Sequence, residues 1–220
     1  SYYNIREGRS AWDFYYYRYA GVDEEGHSMW YYDDTDANGN TVLATTTDYS
    51  QADKYYIGTA LPDFQGGIST EFSWKGLDFS IAANYQLGGK IYDSMYASMM
   101  HAGNNAGQNW HRDILNAWSE TNVSSNIPVL DGDQNANIFS DRFLIGASFF
   151  NIRNITLGYT FPKSWLKPAA IENARVYFAA DNVALWSKRK GMDPRQYISG
   201  QSQANYSAIR SMSVGLSLTF

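Results

Sequence analysis

The 220-residue chain has no cysteine, which excludes a disulfide framework and thiolate metal sites and is compatible with an extracytoplasmic location. No stretch approaches the ~18 consecutive apolar residues of a membrane helix, so a helical spanning protein is excluded. A β-barrel is not, because lumen-facing residues dilute the hydropathy of each strand. Basic charge is also scarce: 17 Lys and Arg stand against 22 Asp and Glu, a net charge of −5, which argues against nucleic acid as a partner. The three histidines, His27, His101 and His111, lie far apart in predicted loops. They support neither a Ser-His-Asp arrangement nor a His-x-x-x-His metal pair, and they read as solvated loop side chains. The opening SYY has no initiator Met and no basic-then-apolar leader, so the chain is expected to be a mature product or a fragment.

What the chain does have is aromatic mass: 18 Tyr, 7 Trp and 11 Phe in a polar background of mean hydropathy −0.44. It also has period-two alternation. The ending SMSVGLSLTF puts Met212, Val214, Leu216 and Leu218 in step with Phe220, with small polar residues between them. That is a β-strand with one face in an apolar medium and the other in a polar one. About six such strands are predicted, antiparallel and with no substantial helix. FQGGISTEFSW and GLDFSIAANYQLGG flank a tight turn at Lys75-Gly76. NITLGYTFP and ARVYFAADNVALW follow, the latter with a bulge expected at Asp181-Asn182. WDFYYYRYA is a first strand too aromatic on both faces to orient.

Connections alternate in length. The turn at 75–76 is short and 162–173 is modest, whereas 20–63, 89–148 and 187–205 are long. Sorting of long loops to one end and short turns to the other is the pattern of an outer-membrane barrel, with the long loops outside and the C-terminus at the periplasmic end. The central registers of the apolar faces carry no Asp, Glu, Lys or Arg; Arg153 and Arg210 continue them only near the upper strand ends. Trp74, Phe161 and Phe220 fall at the short-turn end and Trp12 to Tyr19 at a strand beginning, as two interfacial girdles require. A soluble sandwich with an aromatic core produces the same alternation and stays open on these residues alone.

GGISTEFSWKGLDFSIAANYQLGGKIYDS, FNIRNITLGYTFPKSWL, ARVYFAADNVALWSKRKGMDP and SVGLSLTF, in that order, resemble the C-terminal third of SusC/RagA-type TonB-dependent outer-membrane transporters. AWDFYYYRYAGVDEEG and NWHRDILNAWSETNVSSNIP fit the same family. One departure is Arg195, where the family often has an acidic residue after its GxDP element. The resemblance implies an all-β fold, the last six or so strands of a barrel of about 22 with a plugged lumen. Residues 1–220 would then be the C-terminal part of one barrel domain, with plug and N-terminal strands outside this chain. It further implies import of oligosaccharides or peptides in a Gram-negative outer membrane of Bacteroidetes type, driven by TonB through the plug and lidded by a SusD-like lipoprotein. Membrane lipid and lipopolysaccharide would surround the wall. The row Met212, Val214, Leu216, Leu218 and Phe220 would be the signal read by the barrel-assembly machinery.

No catalytic constellation is present, and an enzyme is not expected. Asp34, Asp36, Asn38, Gly39 and Asn40 resemble a calcium loop, but Thr45 stands where a bidentate Glu is required, and a hairpin turn explains Asn38-Gly39 without metal. Residues 131–137 form a weaker version. No cofactor is expected other than calcium at such a loop. Residues 20–63 hold nine acidic side chains against the base Lys54, a loop suited to a basic partner or simply solvated. WHRDILNAW reads as a short helix with Trp110, Ile114 and Trp118 on one face. Trp110, Trp118, Trp30 and Tyr31 are the candidate ligand-contacting aromatics. A soluble carbohydrate-binding β-sandwich and a passive porin-like barrel are the competing functions.

Overall fold

The computed structural model describes residues 3–196, 199–202 and 206–220. In chain order its strands are β1 (Asp13–Tyr17), β2 (Tyr19–Val22), β3 (Ser28–Thr35), β4 (Thr41–Thr46), β5 (Lys54–Thr59), β6 (Phe64–Trp74), β7 (Leu77–Leu87), β8 (Lys90–Tyr92), β9 (Leu144–Gly146), β10 (Phe149–Thr160), β11 (Asn173–Ser187) and β12 (Ser211–Thr219). Two short helices, α1 (Ser94–Met99) and α2 (Lys163–Leu166), interrupt them, and none of the described helices is long and apolar enough to cross a membrane. The chain divides into two compact units.

One unit, Pro62–Gly88, Ala147–Gln196 and Asn205–Phe220, holds an antiparallel five-stranded sheet of order β12-β11-β10-β7-β6. The β6–β7 hairpin closes on the pair Trp74↔Leu77, with Lys75 at φ 47° and Gly76 at φ 88°. Positive φ at both loop residues is the type I′ geometry whose twist matches the strands it joins, and it explains the glycine. Between β10 and β11 the register jumps from Ile152↔Ala184 to Asn154↔Asp181, with Asn182 at φ 50°. The expected bulge is therefore present. Against β7 it leaves Arg153 as an extra residue, since Ile152 and Asn154 oppose the adjacent Ala83 and Ala82. The long connections all leave this sheet at the end marked by Phe64, Leu87, Phe149, Ser187 and Ser211; the 75–76 turn, the α2 connection and Thr219 lie at the other.

The other unit spans Ser1–Leu61, Gly89–Gly146 and Tyr197–Ala204, and the long connections supply most of it. Rather than bare loops they form β2-β3-β4, β1-β5 and β8-β9 ladders around a core of Phe14, Tyr16, Tyr92, Ala97, Met100, Ile114 and Phe143. Here the sequence expectation is corrected. WDFYYYRYA is not a sixth strand of the wall, because β1 pairs with β5 in this unit. Its Phe14 and Tyr16 are fully buried, and on its opposite face Tyr15 and Tyr17 meet Tyr56 and Tyr49 with ring centroids 4.9 and 4.4 Å apart. A strand aromatic on both faces suits a packed interior, not a division between hydrocarbon and lumen. Trp12 to Tyr19 accordingly belong to this unit, with Phe14 and Tyr16 in its core, and not to a girdle.

Truncating a ring at the centre of such a core typically costs about 3–5 kcal/mol. Phe14→Ala is therefore expected to open this unit to added protease while the five-stranded sheet stays resistant. Equal protease resistance in the variant and the parent would show that the unit does not depend on this core.

Candidate functional site

Cross-strand pairing carries side chains of equal orientation from one strand to the next. Following the registers, one face of the five-stranded sheet presents Phe64, Ile68, Thr70, Phe72 and Trp74 on β6 and Leu77, Phe79, Ile81, Ala83, Tyr85 and Leu87 on β7. It continues with Phe150, Ile152, Ile155, Leu157 and Tyr159 on β10, then Val176, Phe178, Ala180, Ala184 and Trp186 on β11. Met212, Val214, Leu216 and Leu218 on β12 complete it. No ionisable carboxylate, ammonium or guanidinium side chain occurs on this paired face. The bulge makes that possible on β10: strict alternation from Ile155 would bring Arg153 and Asn151 onto the apolar face, whereas the extra residue turns Ile152 and Phe150 there instead. These side chains are largely uncovered, with Ile68 62% and Val214 76% exposed. A sandwich would interleave them with a second sheet.

Rings gather at the two ends of the face. Phe64, Tyr85, Phe150 and Trp186 mark the long-connection end, where Phe150 and Trp186 lie 5.8 Å apart. Trp74, Tyr159, Phe161 and Trp165 mark the short-turn end, with Tyr159 and Phe161 at 5.2 Å. The ten residue steps from Phe64 to Trp74 extend ~34 Å along the strand. A tilt of ~40° reduces this to ~26 Å, close to the ~25 Å apolar band of an outer-membrane barrel. Tyr85 lies across Gly66, where a Cβ would sit 2.9 Å from its hydroxyl.

The reverse face is polar and internally bonded. Asn151 donates to Asn84 at 2.7 Å, Asn154 to Asp181 at 2.8 Å, and Arg175 grips Asp78 through Nη2 at 2.5 Å and Nε at 3.2 Å. That ion pair passes over Gly158, where a Cβ would fall 2.4 Å from the Arg175 Nη2, and the Tyr177 ring rests on Gly215 in the same manner. Large polar groups thus lie flat along the sheet because glycine leaves room beneath them.

The aromatics named from sequence are scattered through the loop unit. Trp30 is 1% exposed and meets Tyr49 edge-on, so its plane is closed to a ligand. Arg18 covers the Tyr31 ring at 4.7 Å. Trp110 and Trp118 do not share a helix face with Ile114, because only Arg112–Asn116 is helical, as a 3₁₀ turn. Trp110 stacks on His101 and donates from Nε1 to its carbonyl at 2.9 Å, while Trp118 lies on Gly26. His101 is 1% exposed and its Nδ1 accepts from Gly103, which corrects its reading as a solvated loop histidine. Packing within the folded loops, invisible in their composition, buried it. Among the four, Trp30 is buried, Tyr31 and Trp118 are half-buried and Trp110 is exposed.

The calcium-like stretch is the β3–β4 hairpin turn. Asp36 Oδ1 accepts from the amides of Asn38 and Asn40 and Oδ2 from the Asn40 side chain, with Gly39 at φ 81°. The Asn40 bonds hold its carboxyl below the usual range. Residues 131–135 make two successive turns in which Asp131 caps Asp133 and Asp133 caps Asn135. Among the described residues no group of three or more His, Asp or Glu side chains is arranged for a metal ion.

Arg195 finds its partner inside its own motif. It donates through Nε and Nη2 to the buried Asp193 at 2.8 and 2.6 Å, and its amide donates to the same carboxylate at 3.1 Å. Burial pushes Asp193 upward, but the Arg195 fork outweighs it and holds the carboxyl below the usual carboxylate range. A depressed carboxyl adds stability that is complete above its unfolded value and lost as pH falls through the folded one. Protection of residues 188–196 from proteolysis is therefore expected to hold from neutrality to about pH 4 and to fail below it. Asp193→Asn should be cleaved readily across the whole range; a variant as protected as the parent would refute the role.

No family model matches the chain. Its sequence is 27% identical over 233 residues to TonB-dependent receptor P3 of Formosa agariphila, covering 98% of this chain and 23% of that protein. It is 30% identical over 218 residues to TonB-dependent receptor SusC of Bacteroides thetaiotaomicron, covering 97% and 20%. Its fold matches the RagAB peptide transporter at 30% identity and a TM-score of 0.77, over 94% of this chain and 23% of that one. It matches the RagAB peptide importer in the 'open-open' state at 27% and 0.72, over 94% and 22%. The chain thus spans about a fifth to a quarter of the length of these relatives. Sequence, order of motifs and fold together make the chain similar to a part of the SusC/RagA-type TonB-dependent receptors.

Proposed function

We propose that this chain is the C-terminal wall segment and external loops of an outer-membrane importer, with the plug and preceding strands supplied by the rest of a longer polypeptide. The observation that carries the reading is the paired face of five strands without one charged side chain, bounded by rings ~26 Å apart. Lipid, and lipopolysaccharide on the outer leaflet, are the surroundings such a face fits. The open edges of β6 and β12 are to be satisfied by neighbouring strands of the closed barrel. On this reading the long connections are extracellular, the 75–76 turn and Phe220 periplasmic, and the lumen is lined by the Asn84, Asn151, Asp78 and Arg175 face.

Transport is driven by TonB acting on the plug, a SusD-like lipoprotein lids the loops, and no catalysis or resident cofactor is involved. Oligosaccharides and peptides are the cargo classes of the family, and likeness to the RagAB peptide transporter supports peptides. The row Met212 to Leu218 stands on the lipid side of the edge strand β12, and Phe220 follows in step. This supports its role as the signal taken up by the assembly machinery. A passive porin-like barrel would share the wall but not the energy dependence.

Two measurements test the reading. In the full-length protein, Ile81→Arg places a cation at mid-strand on the apolar face, at a cost of about 2–4 kcal/mol. It is expected to cut the heat-modifiable outer-membrane pool severalfold, whereas Ser80→Arg, one residue away on the reverse face, leaves it nearly unchanged. Equal yields would remove the lipid assignment. Deleting Phe220 should lower surface assembly without lowering synthesis, and normal assembly would refute the signal.

A further inference from the structure

The loop unit contains a cavity of about 520 Å³ lined by Val22, Asp23, Glu24, Met29, Trp118 and Val123. Its wall is pre-set. The Trp118 ring rests on Gly26, where any Cβ would come within 2.5 Å of it, and the Trp118 amide donates to the Ile127 carbonyl at 2.8 Å. Asp23 is committed to the β2–β3 turn, accepting from the amides of Glu25 and His27 and lying 3.4 Å from the His27 Nδ1. Glu24, an exposed residue of the lining, makes no hydrogen bond or ion pair among the described residues, so its carboxylate is free to pair with a ligand. An indole, a thioether and two valines offer an apolar slot, and the free carboxylate stands beside it.

An aliphatic stem ending in a cation satisfies both parts: the stem covers the slot, the cation meets the ring face and Glu24. A neutral sugar would leave the carboxylate without a counter-charge. The surrounding segment, 20–63, carries nine acidic groups against Lys54, which draws a cationic ligand and repels an acidic one. From this the geometry points to a binding site for a lysine or arginine side chain of an extended peptide. The assignment rests on the peptide-import reading, to which it adds a preference for basic cargo.

The test uses the full-length transporter in outer-membrane vesicles and two otherwise identical Gly-Ser peptides, one with a central Arg and one with norleucine. Carboxylate pairing and cation–π contact together predict about tenfold tighter binding of the Arg peptide. Glu24→Gln should reduce that preference to about twofold, and raised salt should do the same. Trp118→Leu should weaken the Arg peptide while Trp118→Phe restores most of its affinity. Equal affinity for the two peptides, no binding of either, or a preference that survives Glu24→Gln would overturn the site. Uptake separates the two claims. Arg-selective binding without energised uptake leaves the site standing and overturns import, whereas energised uptake of both peptides at equal affinity does the reverse.

Discussion

The pleat of a β-strand sends successive side chains to opposite faces, so a sheet with one face against hydrocarbon must hold every second residue free of charge across its full width. The five-stranded sheet obeys this through a compensation visible on β10. Its sequence slips out of phase between Ile155 and Ile152, and the slip falls where the strand carries an extra residue relative to β7. β11 absorbs two residues at the same level, Asn182 and Val183, and so keeps Val176, Phe178, Ala180, Ala184 and Trp186 on the apolar face. The bulge is thus less an irregularity than the means by which Arg153 and Asn151 are kept out of the apolar row.

The reverse face follows from the same pleat under the opposite demand. Polar side chains there bond along the sheet, Asn to Asn, Asn to Asp and Arg to Asp, rather than projecting from it. Gly158 and Gly215 permit this by leaving gaps over which Arg175 and Tyr177 extend. A side chain at either position would lift its neighbour toward the interior. Glycine therefore controls how far this face protrudes, a constraint separate from the positive φ that Gly76 supplies at the turn.

How much of this was legible in the sequence depended on the medium each strand faces. β6, β7, β10, β11 and β12 separate apolar from polar residues at period two, so the strands, the 75–76 turn and the bulge near Asn182 could all be read. β1 could not be oriented, because a strand buried on one side and ring-stacked on the other has no polar face to reveal its period. The Trp110, Ile114 and Trp118 spacing suggested a helix face, but His111 caps a 3₁₀ turn of five residues that ends before Trp118. Burial of His101 and Trp30 is set by contacts far apart in sequence, which composition does not record. Glu24 and Trp118, 94 positions apart, come together for the same reason.

The aromatic excess consequently has two physical origins. In the wall, rings such as Trp74, Tyr85, Tyr159 and Trp186 stand at the ends of the strands, where an amphipathic ring suits a boundary between water and hydrocarbon. In the loop unit, Phe14, Tyr16, Tyr92 and Phe143 pack edge to face, with Phe14 and Tyr16 5.1 Å apart and Tyr16 and Tyr92 5.6 Å apart. Those rings replace the aliphatic interior that connections of this kind lack, and they let long loops hold a defined shape in water. A smooth set of loops would need neither this core nor the fixed Trp118 wall beside Glu24. An ordered surface favours selective binding, since a site that must first be folded gives up binding energy to order itself. The same residue types therefore serve anchoring in one unit and pre-organisation in the other, and only the period of the pattern distinguishes them.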